Sequence, residues 1–256
     1  MQYGSGPIHR PNNIYALGDV HNEADKLQSA LDQIEPLIQP NDHIVFTGDL
    51  INRGKNPAKT IELLVDLANR YTGQVFFVEG NHDWMLKNYL IAGNREWFDY
   101  LEPTLMALKE EWKLSDINPD TVMEALLAKG FTAVTRNTVP YYESDKVIVT
   151  HAPIDHNTAL VYGIESYEED YGDKENNQSF RYFLDRILDS IKWDFVSEDE
   201  NIPHIHKFMI CGHQPAHHKM PRIFKDRAFI DSGCGKGNCP LTCLSYPSKK
   251  FFQSKV

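Results

Sequence analysis

Residues 14–21 read IYALGDVH, an apolar run that ends at Gly-Asp and is followed by a histidine. The same order returns at residues 43–54, HIVFTGDLINRG, and at residues 74–83, QVFFVEGNHD. Each apolar run has the length and composition of a buried strand, and the glycine that follows permits a sharp turn. Three such strands predict the centre of a parallel sheet whose polar loops lie together at the carboxyl edge.

Helical patterns separate these strands. Apolar residues recur at helical spacing over residues 24–38, and Pro57 opens a second helix. The alternation of strand, loop and helix predicts an α/β fold. Residues 84–130 are mainly helical and rich in aromatic side chains, which we interpret as a helical cap inserted into a single domain of residues 1–256. Further strands are predicted at residues 146–150, 207–211, 227–231 and 241–246, with a helix at residues 180–191.

The composition limits the class of protein. Among the 256 residues 41% are hydrophobic and 24% are charged, which fits a globular chain with a sizeable core. A net charge of −10 argues against a stable nucleic-acid partner held by the overall field. We find no apolar run long enough to cross a membrane and no signal-peptide core, so we expect reduced cysteines and a cytoplasmic location.

Five predicted strand ends carry six side chains that could bind metal ions. A single Gly-Asp or Asn-His pair is more often a turn than a binding site. Five such elements, each directly after a predicted strand, are not explained by turns alone. Imidazole nitrogens combined with carboxylate and amide oxygens suit manganese, iron or zinc. The candidate ligands are Asp19, His21, Asp49, Asn81, His151 and His213.

The charge of this set suggests what it binds. Two divalent ions carry four positive charges, and the carboxylates of Asp19 and Asp49 would neutralise two of them. The remaining charge matches a phosphate dianion. A pair of ions would also activate a water molecule and stabilise both the attacking and the leaving oxygen of a phosphate ester.

The ordered motifs GDVH, GDLINRG, GNHD, VTHAPID, CGHQP and IDSGC extend from residue 18 almost to the C-terminus. In this order they resemble the calcineurin-like metallophosphoesterase superfamily, and most of all its phosphoprotein phosphatase branch, which includes bacterial and phage serine/threonine phosphatases and diadenosine tetraphosphatases. Pro215 stands where many other members have a second histidine, which is similar to that branch. The resemblance implies a sandwich of two sheets flanked by helices.

The resemblance also implies roles for individual residues. His82 would protonate the leaving group, Arg53 would bind phosphate oxygens, and a hydroxide bridging two divalent ions would attack the phosphorus atom. We expect Mn²⁺, with iron and zinc as alternatives. One ion would be held by Asp19 and His21, the other by Asn81, His151 and His213, with Asp49 bridging the two.

Two positions depart from the family pattern. Asn52 replaces an aspartate that orients the acid histidine and adds negative charge. Asn52 can accept a hydrogen bond but carries no charge. The second family arginine has no clear counterpart, because Ile164 stands in the similar segment and Arg181 and Arg186 lie in no convincing motif.

Three functions remain open from sequence. We favour a protein phosphatase-like phosphomonoesterase; a dinucleoside tetraphosphatase, or another nucleotide phosphohydrolase or phosphodiesterase, is the alternative within the same chemistry. The substrate would accordingly be a phosphoprotein or a nucleotide. A non-catalytic metal-binding scaffold is the alternative from another class. We interpret the aromatic residues between Trp84 and Trp112 as the core of the cap and not as a stacking surface.

Overall fold

The structure is a computed structural model, and it describes residues 9–154, 190–193, 207–215 and 217–255. Most of the helix predicted at residues 180–191 lies outside these ranges, as do Ile164, Arg181 and Arg186.

Strands and helices alternate through the first part of the chain. The strands are β1 (Ile14–Leu17), β2 (His43–Phe46), β3 (Val75–Val78), β4 (Thr138–Val139), β5 (Tyr142–Glu143), β6 (Val147–Thr150), β7 (Phe208–Cys211), β8 (Arg222–Ile223), β9 (Arg227–Phe229), β10 (Thr242–Tyr246) and β11 (Lys250–Gln253). The helices are α1 (Ala24–Ile34), α2 (Pro57–Arg70), α3 (Asn81–Ala92), α4 (Phe98–Trp112), α5 (Pro119–Ala128), α6 (Thr132–Arg136) and α7 (Ser190–Trp193). No described helix combines the length and the apolar character that crossing a bilayer demands.

The described strands form two sheets. The first has the order β11-β10-β1-β2-β3-β4, and the second has the order β5-β6-β7-β9-β8. Strands β1 to β4 are parallel, as are β6, β7 and β9, and the remaining strands join antiparallel at the edges. Within each sheet the central strands are parallel, so their carboxyl ends lie at the same edge and lead into the polar loops.

The two sheets pack face to face, and the alternation of side chains along each strand explains why. In β1, Ile14 and Ala16 join a core shared with the second sheet, whereas Tyr15 and Leu17 face the helices. Successive side chains of a strand point to opposite faces, so a strand that is apolar throughout can be buried on both sides. The expected sandwich of two sheets flanked by helices is thus confirmed.

Some predicted boundaries were wrong. The helix predicted at residues 24–38 ends at Ile34, and a short 3-10 turn, Glu35–Leu37, follows it. Pro36 has no backbone N–H and cannot continue the α-helical hydrogen bonds, which explains the early end. The edge strands β4, β5, β8 and β11 were not predicted, and three of them have only two residues.

Four helices, α3 to α6, connect β3 to β4 where the sequence indicated a cap. Helix α3 begins at Asn81, so the metal-ligand candidate in GNHD occupies its first turn. Helix α4 packs against α2 and α3. The cap is thereby anchored beside the loop that carries Asn81. The single-domain extent of residues 1–256 stays a prediction.

Candidate metal centre

The loops that follow β1, β2, β3, β6 and β7 bring all six candidate ligands together at the carboxyl ends of strands from both sheets. Both sheets contribute, because β1 to β3 belong to the first and β6 and β7 to the second. The side chains of five candidates are buried and that of His213 is partly buried. Each candidate ligand lies in the loop that follows a strand or opens the next helix, which is the placement the sequence predicted.

Asp49 lies between two groups of donors. Its Oδ2 atom is 3.5 Å from Nε2 of His21, and that nitrogen is 3.9 Å from Oδ2 of Asp19. The other carboxylate oxygen, Oδ1, is 3.4 Å from Nε2 of His151. The possible ligand atoms within each group lie within 4.8 Å of one another, and His213 completes the second group. A carboxylate in this position can bridge two ions.

The second group also contains Asn81. Its Oδ1 atom is 2.9 Å from Nε2 of His151, which in turn is 3.1 Å from Nδ1 of His213. Asn81 was predicted beside these histidines, and the structure places it there. Three neutral donors and one oxygen of Asp49 therefore converge on one point.

Backbone carbonyls fix how the buried histidines are oriented. Nδ1 of His21 lies 3.0 Å from the carbonyl oxygen of Ile51, and Nδ1 of His151 lies 2.8 Å from that of Thr47. A carbonyl can only accept, so Nδ1 carries the proton and the lone pair of each Nε2 faces the centre. Burial lowers the pKa of His21 well below its usual value and that of His151 to about 3, which keeps both rings neutral.

The donor set fits cations. Nε2 of His151 has only a lone pair to offer, yet it faces the carbonyl oxygen of Asn81. The Asn81 oxygen faces acceptors only, a repulsion that a positive ion between them would relieve. Burial also raises the pKa of Asp49 to about 7 and that of Asp19 well above its usual value. Two divalent ions would stabilise the ionised forms of both carboxyl groups.

The loops that carry the centre have strained backbone. Several non-glycine residues there adopt positive φ, a conformation that costs free energy and is held only by surrounding structure. Such strain is common where a chain must place ligands precisely against its own preference. The residues are His21 (49°), Asn22 (57°), Asp49 (50°), Asn52 (70°), Arg53 (66°) and His213 (62°).

His82 lies beside the centre, as predicted. Its backbone N–H donates to Oδ1 of Asp49 at 2.9 Å. Asn52 contacts Nδ1 of the ring at 2.9 Å, and the guanidinium of Arg53 contacts Nε2 at 3.3 Å. Burial, followed by the charge of Arg53, lowers the pKa of His82 to about 3. The ring is therefore neutral at pH 7.

The orientation of the Asn52 amide can be inferred from these contacts. Arg53 can only donate, so Nε2 of His82 accepts and Nδ1 carries the proton. Within the described structure Oδ1 of Asn52 has no hydrogen-bond partner when the amide nitrogen faces the ring. Turning the amide lets Oδ1 accept from Nδ1–H of His82, which satisfies both groups.

Three residues near the centre were missed from sequence. Asp83 of the GNHD motif accepts from the N–H groups of Leu50 and Gly80, at 3.0 and 3.1 Å, and so ties two ligand loops together. Burial raises the pKa of Asp19, and the negative charge of the buried Asp231 in IDSGC raises it further. Both lie in the quoted motifs, so only their orientation was unpredictable.

Lys236 is the third missed residue. The preceding Gly235 packs so closely that a Cβ there would lie 2.6 Å from Cβ of His21 and 3.4 Å from Cβ of Arg53. Burial is the main cause of the shifted pKa values of Asp49 and His82, and the ammonium group of Lys236 makes a smaller contribution that favours a lower pKa for both, so its charge acts on the centre. An exposed lysine in a glycine-rich turn gives no sequence signal of this role.

The fold and the centre define a class of protein. The model of the family Calcineurin-like phosphoesterase matches residues 13–239. The chain belongs to this family and is a phosphoesterase, a hydrolase of a metal-dependent family. The expectation of an enzyme, as opposed to a non-catalytic scaffold, is confirmed.

Individual relatives divide between two kinds of substrate. The Bis(5'-nucleosyl)-tetraphosphatase PrpE (asymmetrical) of Geobacillus sp. (strain WCH70) is 25% identical over 248 residues, covering 91% of this chain and 90% of the relative. The serine/threonine-protein phosphatase PP2A-like PPG1 of Saccharomyces cerevisiae is 29% identical over 79 residues, covering 31% of this chain and 21% of the relative. A crystal structure provisionally described as a diadenosine tetraphosphatase shares the fold, with a TM-score of 0.60, 16% identity and 97% coverage of both chains.

Proposed function

We propose that the chain hydrolyses phosphate esters at a centre of two divalent ions and prefers substrates with good leaving groups. The carboxylate of Asp49 carries this proposal, because its two oxygens face two separate groups of donors. When bound, the ions would lower the pKa of a water molecule and offset the charge on the phosphate. Mn²⁺ is the proposed metal, since the donors are nitrogen and oxygen atoms without a thiolate.

The chain's own residues have distinct proposed roles. Arg53, exposed at the mouth of the centre, would bind phosphate oxygens through its planar guanidinium. Asn52 and Arg53 orient the His82 ring, and its doubly protonated form, the minor form at pH 7, would donate Nε2–H to the leaving group. Lys236 would add a second positive charge beside the phosphate.

The substrate class has two candidates. A phosphomonoester, as in protein phosphatases, requires only one phosphoryl group to reach the centre. A dinucleoside polyphosphate is the second candidate, supported by the relative named as a tetraphosphatase, which aligns with 91% of this chain. Both are phosphorylated substrates that the same set of ligands can serve.

The buried, free cysteines among the described residues are compatible with the proposed cytoplasmic location.

The metal centre is tested by Asp49→Asn. The amide keeps the shape but lacks the charge that the bridge requires, so we expect loss of metal at both positions and loss of hydrolysis of an aryl phosphate. Metal content is measured by mass spectrometry after loading with Mn²⁺. Asp25→Asn, at an exposed carboxylate of α1, is the control. Full metal content and full rate in Asp49→Asn would contradict the bridging role.

A substrate panel separates the two candidates. The protein with Mn²⁺ is assayed on a phosphopeptide, an aryl phosphate, an aryl phosphodiester, diadenosine tetraphosphate and a 2′,3′-cyclic nucleotide. The highest kcat/KM for the aryl phosphate or the phosphopeptide identifies a phosphomonoesterase. The highest value for diadenosine tetraphosphate identifies a nucleotide phosphohydrolase.

A further inference from the structure

Four aromatic side chains of the cap and of α7 form a continuous row beside the centre, which we name the aromatic arc. The ring of Tyr100 lies 6.2 Å from that of Trp97, Trp97 lies 5.3 Å from Trp193, and Trp193 lies 5.9 Å from Trp84, measured between ring centroids. These separations are within the range of direct aromatic contact. The arc is therefore a continuous surface built from three parts of the chain.

The arc is connected to the centre at two points. The ring of Tyr100 lies 6.1 Å from that of His82, at 73°, an edge-to-face contact. At the other side, the backbone of Trp193 forms a hydrogen bond with the His213 ring. The arc thus extends from the proposed proton donor toward a proposed metal ligand and bounds the centre on one side.

Exposure distinguishes the arc from ordinary core. We predicted that the aromatic residues between Trp84 and Trp112 form the core of the cap, and Tyr89 and Phe98 do so. That prediction was wrong for Tyr100, which is 57% exposed although it contacts His82. Trp97 is half-buried and packs against the core by part of its surface. The arc therefore presents aromatic surface to solvent directly beside the centre.

We infer that the aromatic arc binds a planar aromatic group on the leaving-group side of the substrate, with Tyr100 as the main specificity-determining residue. The inference rests on the proposed function, which assigns His82 to the leaving group. An exposed ring offers an apolar face on which an aryl group or a nucleobase can stack, and stacking tolerates different ring systems. The arc thereby favours substrates that carry a ring next to the scissile phosphate over those that do not.

Two substrates whose leaving groups both depart readily test the arc. 4-Nitrophenyl phosphate has an aromatic leaving group and acetyl phosphate does not. Tyr100→Leu keeps apolar volume beside His82 but removes the ring, whereas Tyr100→Phe keeps the ring. We expect the ratio of kcat/KM for 4-nitrophenyl phosphate to that for acetyl phosphate to fall about tenfold in Tyr100→Leu, mainly through KM. The ratio should keep its wild-type value in Tyr100→Phe.

Phe251→Leu is the matched control, because Phe251 is an exposed ring on the edge strand β11. An equal loss on both substrates in Tyr100→Leu would overturn the inference and leave Tyr100 as a packing neighbour of His82. An unchanged ratio would overturn it as well. A separate measurement tests the metal centre: in the wild type, a chelator should abolish hydrolysis of acetyl phosphate. The result for the aromatic arc can therefore be negative while the proposed function still holds, and the two outcomes are distinguishable.

Discussion

Hydrogen bonds orient two histidines of the centre and leave one ring nitrogen of each available to bind a metal ion. His21 and His151 each donate Nδ1–H to a backbone carbonyl, so Nε2 faces inward. Such outer contacts set which nitrogen can bind a metal and how the ring is oriented. Arg53 differs from these histidines because its side chain is exposed. Within the described residues, its guanidinium forms a side-chain hydrogen bond with His82 alone. It is thus free to reach a phosphate.

Arg53 gives the first prediction at this scale. Arg53→Ala should lower kcat/KM by at least about tenfold, since a guanidinium that contacts developing negative charge contributes a few kcal/mol. The metal content should stay normal, because Arg53 belongs to neither donor group. Steady-state kinetics and metal analysis are measured on the same preparation. Arg136→Ala, at an exposed arginine of α6, is the control, and unchanged kinetics in Arg53→Ala would remove the residue from the site.

Asn52 gives a prediction about the leaving group. A neutral His82, with its pKa lowered by burial and by Arg53, is a scarce source of protons for a poor leaving group. Aspartate at position 52 would add negative charge 2.9 Å from the ring and raise the pKa of His82. We therefore expect Asn52→Asp to raise the rate on phosphoserine peptide more than on aryl phosphate.

The measurement for Asn52 is the ratio of kcat/KM for phosphoserine peptide to that for aryl phosphate, in wild type and in Asn52→Asp. Asn52→Ser, which introduces no charge, is the control for the changed shape. Two outcomes would contradict the prediction: the wild-type enzyme already favours phosphoserine peptide, or the ratio does not rise in Asn52→Asp. Either outcome would show that Asn52 does not limit proton transfer to the leaving group.

The positions of the candidate ligands at the strand ends could be predicted from the sequence because these positions depend on local rules. A polar residue after Gly at the end of a parallel strand must lie at the carboxyl edge, and this rule located Asp19, Asp49 and His213. Lys236 and Tyr100 obey no such rule. Their distance from the centre depends on how the Gly-rich turn and α4 pack in three dimensions. No local pattern in a single sequence predicts that packing.

At the scale of elements, tight packing between loops positions the carboxylates. A Cβ on Gly212, after β7, would collide with Oδ1 of Asp19, and a Cβ on Gly80, after β3, would collide with Oδ1 of Asp49. The loops after β7 and β1, which belong to different sheets, therefore approach each other through a glycine, and so do the loops after the neighbouring strands β3 and β2 of the first sheet. This explains why Gly precedes a polar residue at these strand ends.

Gly212→Ala tests this packing. The added methyl group should displace Asp19 and lower metal affinity, and an overpacked site also costs about 1–3 kcal/mol of folding free energy. Calorimetric titration with Mn²⁺ and thermal unfolding separate the two effects. Gly73→Ala is the control, because its Cβ would meet nothing within 4 Å although φ is +79°. It should lose some stability but keep its metal affinity; normal metal affinity in Gly212→Ala would refute the packing argument.

Element boundaries were predicted best where a strong local signal existed. The parallel strands have continuous apolar runs, and Pro57 begins α2 as expected. The end of α1 was placed too late because apolar residues continue past Pro36. Strands β4, β5 and β8 are pairs of residues too short to show any period, so only tertiary pairing reveals them.

At the scale of the whole molecule, the two sheets meet at a cluster of buried acidic groups. Asp19, Asp49 and Asp231 are buried and Asp83 is partly buried, and burial is the main cause of the raised pKa of each of the four carboxyl groups. Like charges raise the pKa of Asp19 and Asp83 further. Without cations this cluster opposes close packing of the sheets, since a buried charge without compensation is costly. Bound metal should therefore stabilise the fold as well as serve the reaction.

Chelation provides the last prediction. A ligand that binds only the folded state, at a free concentration about a hundred times its Kd, stabilises that state by about 2.7 kcal/mol. For a domain of this size, that stabilisation corresponds to a rise in Tm of about 5–10 °C. Removing metal from the protein with a chelator should lower Tm by this amount, and adding Mn²⁺ back should restore it. Asp49→Asn should already have a low affinity for metal, so the chelator should change its Tm far less. Differential scanning calorimetry of both proteins, with and without chelator, measures the effect. An equal Tm of the wild type in both conditions would mean that the cluster packs without cations, and that metal serves the reaction but not the fold.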